Sequence, residues 1–216
     1  MDFYVPLFLI LPFLLLKNSS SGSSGSTKST SDFSDVAKIE NIPFAEGASN
    51  PAWPLISKKN KIVSYKKTDG KYVGTAGYSF GRPRSNGERI HVGIDLWAND
   101  NDIVVATESG TIVGIQGFLG PVKAMLVQGD SGLVQLYGEI EDGSWNEFGL
   151  KKGSRVERKQ PIARIGKNSA GTQMLHFETY TEGTTKNITL KKGAEPDSRI
   201  LNPTKYLLLA QRNTNS

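Results

Sequence analysis

The chain has 216 residues, enough for one sizeable domain with appendages. It contains no cysteine, which excludes a disulfide framework, a cysteine-based zinc site and a thiol nucleophile. The formal net charge is +5, and a basic stretch lies at residues 151–159, but aromatic residues do not alternate with these charges. We therefore expect a solvated basic face and no nucleic-acid binding.

An almost unbroken apolar run occupies residues 3–16 near the start of the chain. A helix of this length spans about 21 Å, less than the roughly 30 Å hydrocarbon core of a bilayer. No Lys or Arg precedes the run and no small-residue cleavage site follows it, unlike a typical secretory signal. We interpret residues 1–17 as an uncleaved membrane anchor, with an atypical cleaved signal as the alternative. The rest of the chain is then expected in the periplasm or at the cell exterior.

Residues 18–52 form a Ser/Gly-rich linker followed by a polar connector, a composition with little to bury. A folded domain is expected over residues 53–209, with a polar tail at 210–216. Within it, short β-branched or apolar segments alternate with Gly, Asn and Asp turns, and no segment shows a strong helical period. The pattern predicts an all-β domain with strands at 62–65, 90–96, 103–106, 110–116, 123–128, 134–139, 161–165 and 175–180.

The chain has two histidines, and both lie where a metal site would need them. On a strand, side chains at i and i+4 share a face, so His91 and Asp95 can point the same way with Gly93 between them leaving room for a metal. His176 shares a face with Met174 and Glu178. Two imidazoles and one carboxylate suit a catalytic-type zinc site, which keeps a further position for water or substrate. Two ordinary histidines, one at the surface and one in the core, are the alternative on spacing alone.

Several blocks of the sequence, in order, resemble the lysostaphin/LytM-type zinc metallopeptidase family, whose members cut peptide cross-links in peptidoglycan. The similarity extends from about Trp53 to Leu207. It implies an antiparallel sandwich or open barrel, and zinc bound by His91, Asp95 and His176. The blocks are residues 78–82, 91–95, 104–113, 137–139, 149–156, 160–166, 175–178 and 201–207.

The chain departs from the family pattern at the two histidines that are not ligands. Their positions hold Glu139 and Met174. In the family these histidines serve as general base and transition-state stabiliser, and a thioether cannot transfer a proton at neutral pH. Glu139 can act as the base, as a glutamate does in other metalloproteases. The alternative, which the acidic neighbours Glu141 and Asp142 favour, is a solvated edge glutamate. Glu178 is expected to support a ligand.

Three functional hypotheses follow from the resemblance and its departures. The first is a membrane-tethered zinc hydrolase of peptidoglycan peptides, with zinc activating water and Glu139 as base. The second is a family member without activity that binds cell wall or a partner protein through the same groove. The third, based on the unusual anchor and tether, is a component of a virion with an internal membrane.

Overall fold

The computed structural model describes residues 38–59, 61–68, 71–74 and 77–215. The predicted anchor at residues 1–17, and the linker up to residue 37, lie outside the described residues. Among the residues described, no helix is long and apolar enough to cross a membrane.

The described chain is built mainly from short strands. Two 3-10 helices lie at Ser85–Gly87 and Ser144–Phe148, and the α-helix called α1 lies at Thr204–Asn215. Residues 38–40 are also helical. The strands are β1 (Leu55–Ile56), β2 (Lys66–Thr68), β3 (Lys71–Val73), β4 (Pro83–Arg84), β5 (Arg89–Ile90), β6 (Gly93–Trp97), β7 (Ile103–Val105), β8 (Gly110–Gly117), β9 (Lys123–Gly129), β10 (Val134–Ile140), β11 (Arg155–Val156), β12 (Pro161–Arg164), β13 (Met174–Tyr180), β14 (Leu190–Lys191) and β15 (Ile200–Leu201).

One large sheet forms the centre of the domain. Its strand order is β11-β8-β9-β10-β13-β15, and β6 also pairs with β13. Smaller sheets have the orders β1-β7-β12, β14-β5-β4 and β2-β3. The strand pairs are antiparallel, which confirms the predicted class, but the large sheet does not close into a barrel in the described structure.

Most predicted strands form close to their expected bounds, namely β7, β8, β9, β10, β12 and β13. The prediction of one strand over 90–96 was wrong, because the chain changes partners at His91. The backbone of His91 bonds to Gly81 and Arg82, whereas β6 pairs with β13. The prediction of a strand at 62–65 was also wrong. Val63 packs into the core, but pairing begins only at Lys66.

Helix α1 is an element that the sequence pattern did not reveal. Asn202 accepts a hydrogen bond from the backbone of Thr204 at the helix start, and Tyr206, Leu207 and Ala210 are buried on one face. The segment expected as a polar tail continues this helix to Asn215. At the other end, residues 42 and 45 are buried before the expected domain start at residue 53. The packed unit therefore extends past both predicted bounds.

Strand β13 separates the core from the functional face. Leu175 and Phe177 are fully buried, and the ring of Phe177 stacks on Tyr206 of α1 with centroids 5.8 Å apart. His176 and Glu178 alternate with them and line a cavity on the other face. The two-residue period of the strand thus fixes which side chains pack and which remain available for chemistry.

Candidate metal centre

The two strands β6 and β13 bring three predicted ligands together. Asp95 lies directly opposite His176 in the antiparallel register, and His91 enters from the segment just before β6. His91 Nε2 is 3.1 Å from Asp95 Oδ1 and 3.1 Å from His176 Nδ1, and the last two atoms are 2.8 Å apart. These three residues form a buried group that can hold a metal ion. We call them the ligand triangle.

The donor atoms of the triangle fit a zinc ion. Tetrahedral ligands at about 2.0–2.1 Å from zinc lie about 3.3–3.4 Å from each other, close to the observed separations. His91 Nδ1 is 2.8 Å from the Ser79 carbonyl, so a proton there leaves the Nε2 lone pair facing the triangle. His176 Nε2 donates to Glu178 Oε1 at 2.7 Å, which leaves Nδ1 free in the same way. Both rings are thus held by their second nitrogen, as is usual for metal-bound imidazoles.

Glu178 is itself fixed by a buried network. The hydroxyl of Tyr180 donates to its Oε2, and Asn187 Nδ2 donates to the same oxygen at 2.8 Å. The backbone of Ile188 donates to the Tyr180 hydroxyl at 3.0 Å. Glu178 therefore occupies the supporting position expected from its place on β13, with no direct role in the triangle.

Electrostatics make the triangle a site for positive charge. Burial alone would raise the pKa of Asp95, but when no ion is bound and the rings of His176 and His91 carry their protons toward it, the hydrogen bonds that they donate outweigh burial and hold this pKa far below its ordinary value. Burial would lower the pKa of His176, yet the charge of Glu178 and hydrogen bonds to Asp95 and Glu178 raise it to about 10. Burial lowers the pKa of His91. Two carboxylates facing one imidazole thus favour a cation at this point.

Two glycines give the His176 ring its space. A Cβ atom on Gly93 would lie 2.7 Å from both Cε1 and Nε2 of His176, and one on Gly138 would lie 3.0 Å from the ring of Phe118. Phe118 in turn packs on His176, with ring centroids 5.1 Å apart. Gly93 was expected to leave room for a metal, but in the structure it leaves room for the imidazole of His176.

Glu139 lies beside the triangle on a distorted part of β10. The pairing of β10 with β9 shifts between Gly138 and Ile140, and Glu139 has a φ of 65°. Such bulges redirect a side chain, often next to an active site. Asn168 Nδ2 donates to its Oε2 at 3.0 Å. Burial and the charge of Asp95 raise the pKa of Glu139 to about 7.

Glu139 is only 5% exposed, so the interpretation as a solvated edge glutamate was wrong. It borders two cavities that flank the triangle. The ligand cavity, about 270 Å³, also contacts His91, His176 and Phe118. The Met174 cavity, about 380 Å³, contains Met174, Tyr78 and Gly77. Arg84, Asp95 and Glu139 line both cavities.

Sequence reasoning missed Arg84 and Asn168. Arg84 Nη2 donates to Asp95 Oδ2 at 2.7 Å, from a short strand whose relation to β6 depends on the surrounding loops. Asn168 also donates to Thr172 Oγ1 at 2.6 Å and accepts hydrogen bonds from the backbone of residues 170 and 172. A polar Asn-Ser-Ala-Gly segment after a strand signals a turn, but nothing in it indicates which side chain the turn supports.

Comparison with known proteins gives a family and several structural similarities. No curated protein matches the chain by sequence. Lysostaphin from Staphylococcus simulans matches with a TM-score of 0.48 and 22% identity, over 63% of this chain and 51% of that chain. Csd3 from Helicobacter pylori matches with a TM-score of 0.40 and 22% identity, over 80% of this chain and 40% of that chain. The catalytic domain of the prophage-encoded protein EnpA from Enterococcus faecalis matches with a TM-score of 0.43 and 15% identity, over 65% of this chain and 97% of that chain.

The chain spans about half of the length of the lysostaphin structures that it matches. By sequence, the model of Peptidase family M23 matches residues 89–188. The matched stretch includes all three residues of the triangle together with Glu139. This match confirms the resemblance to the family over residues 89–188.

Proposed function

We propose that this protein is a zinc-dependent endopeptidase that hydrolyses peptide cross-links of peptidoglycan, with Glu139 as general base. The observation that supports it most directly is the buried ligand triangle with a buried carboxylate beside it in the same cavity. The match of residues 89–188 to Peptidase family M23 supports the reaction class. The cell-wall substrate rests on the lysostaphin-like resemblance.

In this proposal His91 Nε2, Asp95 Oδ1 and His176 Nδ1 hold the zinc ion. Zinc, when bound, acts as a Lewis acid that polarises a peptide carbonyl and makes water more acidic. The residues of this chain contribute the rest. The hydrogen bonds from His91 to Ser79 and from His176 to Glu178 keep both rings oriented and in the metal-binding tautomer.

Glu139 moves the proton. Its carboxylate takes a proton from water as the water oxygen forms a bond to the carbonyl carbon of the substrate. The same proton then passes from the Glu139 carboxyl to the leaving nitrogen as the carbon–nitrogen bond breaks, which yields one acid and one amine. Asn168 holds Glu139 Oε2, so the other carboxylate oxygen remains available for this transfer.

A second candidate function is a binding domain without hydrolase activity. Met174 supports it, because this residue lies in the cavity beside Glu139 and provides no proton donor or base. The same groove would then hold a cell-wall peptide or a partner protein and leave it uncut.

The location of the protein is part of the proposal. We place the domain outside the cytoplasmic membrane, tethered by residues 1–17, because peptidoglycan lies there and the apolar run precedes a Ser/Gly-rich linker. A virion with an internal membrane is the alternative setting for the same anchor.

A paired measurement on the full chain in detergent tests the function. Metal content is determined by elemental analysis, and release of soluble fragments is followed from peptidoglycans of several cross-link types. About one zinc per chain with fragment release supports the hydrolase. Zinc without release from any wall type supports the binding domain, and a chain without stoichiometric zinc contradicts both.

A further inference from the structure

A guanidinium group lies directly beside the ligand triangle. Arg84, in β4, donates from Nη2 to Asp95 Oδ2 at 2.7 Å, and the same nitrogen is 2.9 Å from His91 Nδ1. Asp95 thus faces two ways, with Oδ1 in the triangle and Oδ2 on Arg84. The arginine is fixed at one end of its planar group, and its orientation relative to the triangle is set by that contact.

The other end of the guanidinium has no protein partner. All side-chain hydrogen bonds and ion pairs of Arg84 with the described residues involve Nη2, so Nε and Nη1 have no partner there. The side chain is 26% exposed, which means that these nitrogens can reach a ligand in a cavity. An arginine provides five N–H groups in a rigid fork, so one edge can stay on Asp95 while another binds a second oxygen.

The position of Arg84 relative to Glu139 matters for the chemistry. Among the described residues, the ligand cavity and the Met174 cavity share only Arg84, Asp95 and Glu139. Of these three, Arg84 is the cation. A substrate carbonyl placed at the triangle therefore meets a carboxylate from Glu139 and N–H donors from Arg84. Attack on that carbonyl puts negative charge on its oxygen, and preorganised donors at such an oxygen are among the largest contributions to catalysis.

We propose that Arg84 is a catalytic residue, whose free N–H groups donate to the carbonyl oxygen of the substrate as it becomes negatively charged. This inference rests on the proposed function. Water adds to the carbonyl carbon, the carbonyl electron pair moves onto the oxygen, and Arg84 stabilises that charge until the carbon–nitrogen bond breaks. No proton leaves Arg84 in the step.

Binding of a small tetrahedral anion tests this role without turnover. Dimethylphosphinate resembles the charged tetrahedral centre and is titrated calorimetrically into the zinc-loaded full chain. We expect Arg84→Met to bind it about 10- to 100-fold more weakly than wild type, the usual effect of losing a charge-assisted hydrogen bond. Where wild type cuts peptidoglycan, the kcat of Arg84→Met for fragment release should be about 10²- to 10³-fold lower than that of wild type.

Zinc affinity, measured by competition with a chelator, distinguishes a catalytic role of Arg84 from a role that only holds Asp95 in place. A residue that only orients a metal ligand usually costs about 10- to 100-fold in metal affinity when it is replaced. We expect zinc affinity in Arg84→Met to stay within about threefold of wild type, because Asp95 Oδ1, not Oδ2, belongs to the triangle. Arg82→Met is the matched control, since Arg82 is an exposed arginine on the same segment that borders neither cavity. Arg84→Lys keeps a cation near Asp95 and replaces Arg84→Met if that variant does not fold.

The outcomes separate this inference from the proposed function. Unchanged dimethylphosphinate affinity in the Arg84 variants overturns it, as does a wild type that does not bind the anion. A parallel loss of zinc also overturns it, because Arg84 would then only position Asp95. If wild type releases no fragments but binds the anion through Arg84, the hydrolase proposal fails and the donor role of Arg84 stands.

Discussion

Glu139 owes its place at the site to a local distortion of the backbone. A residue other than glycine at a φ of 65° is uncommon, and such a conformation costs of order 1 kcal/mol or more. The register shift after Gly138 produces it, and Gly138 lies directly opposite His176. The strain is therefore located where it brings a carboxylate next to the ligand triangle, which is typical of functional sites.

Replacing Glu139 by Gln tests the general base. The change removes the carboxylate but keeps an oxygen that can accept the hydrogen bond from Asn168, so the fold should be preserved. We expect fragment release to fall about 10²- to 10⁴-fold, with zinc content unchanged. Glu141→Gln, an exposed neighbour, should leave both quantities as in wild type. Full turnover in Glu139→Gln would show that another group accepts the proton.

Replacing Gly93 by Ala tests how the triangle is packed. The new Cβ would lie 2.7 Å from the His176 ring and 2.8 Å from the Phe177 carbonyl, both fixed by strand pairing or buried hydrogen bonds. We expect at least a tenfold loss of zinc affinity and a destabilisation of about 1–3 kcal/mol. Gly117→Ala, whose Cβ meets nothing within 4 Å, is the control. Wild-type zinc affinity in Gly93→Ala, from chelator competition, would contradict the packing argument.

Residue-level prediction from sequence worked where strand periodicity decides the outcome. Asp95 and His176 lie opposite each other on paired strands, and the donor atoms of the triangle lie within 4.8 Å of one another. His91 joins them from the segment before β6, so the face that it was predicted to share with Asp95 on one strand does not explain its place. Arg84 and Asn168 could not be placed from strand periodicity, because a two-residue strand and a turn decide where they point. The burial of Glu139 was missed because its acidic neighbours Glu141 and Asp142 indicated a solvated edge, and the bulge that buries its side chain has no sequence signal.

At the scale of elements, β13 organises the domain. It pairs with β10, β6 and β15, and one of its faces carries His176 of the ligand triangle while the other packs into the core. Long central strands were predicted closely because their apolar content is high. Two-residue strands such as β11 and β14 were not, since their pairing depends on distant partners. Helix α1 was missed because its buried residues are few, namely Thr204, Tyr206, Leu207 and Ala210, and its last turns are polar.

Replacing Leu207 by Ala tests the contribution of helix α1. Leu207 is fully buried beside Tyr206, whose hydroxyl donates to Glu108 at 2.7 Å. We expect the free energy of unfolding to fall by about 2–5 kcal/mol, measured by urea denaturation, as is usual for such a cavity. Arg212→Ala, an exposed position on the same helix, should change it by about 0.5 kcal/mol or less. Equal effects of the two changes would mean that α1 is not part of the cooperative unit.

For the whole molecule, the triangle joins parts of the chain that are distant in sequence, but the core does not depend on it. Buried side chains extend from Ile42 to Ala210, and the pairing between β8, β9 and β10 involves none of the ligands. A metal ion should therefore add stability to a domain that is already folded. This differs from small zinc domains, in which metal binding and folding are one event.

Removing zinc tests that distinction. A ligand that binds only the folded state stabilises it by about 2.7 kcal/mol at 100 times its dissociation constant, which corresponds to a rise in Tm of about 5–10 °C for a chain of this size. We expect the metal-free protein to unfold cooperatively at the lower temperature, with its near-ultraviolet circular dichroism retained at 25 °C. His176→Ala, which lacks one ligand, should show little change in Tm with chelator. Loss of the near-ultraviolet signal on chelation would instead mean that the triangle must be filled before β6 and β13 can pack, and that the ion is a requirement of the fold as well as of the site.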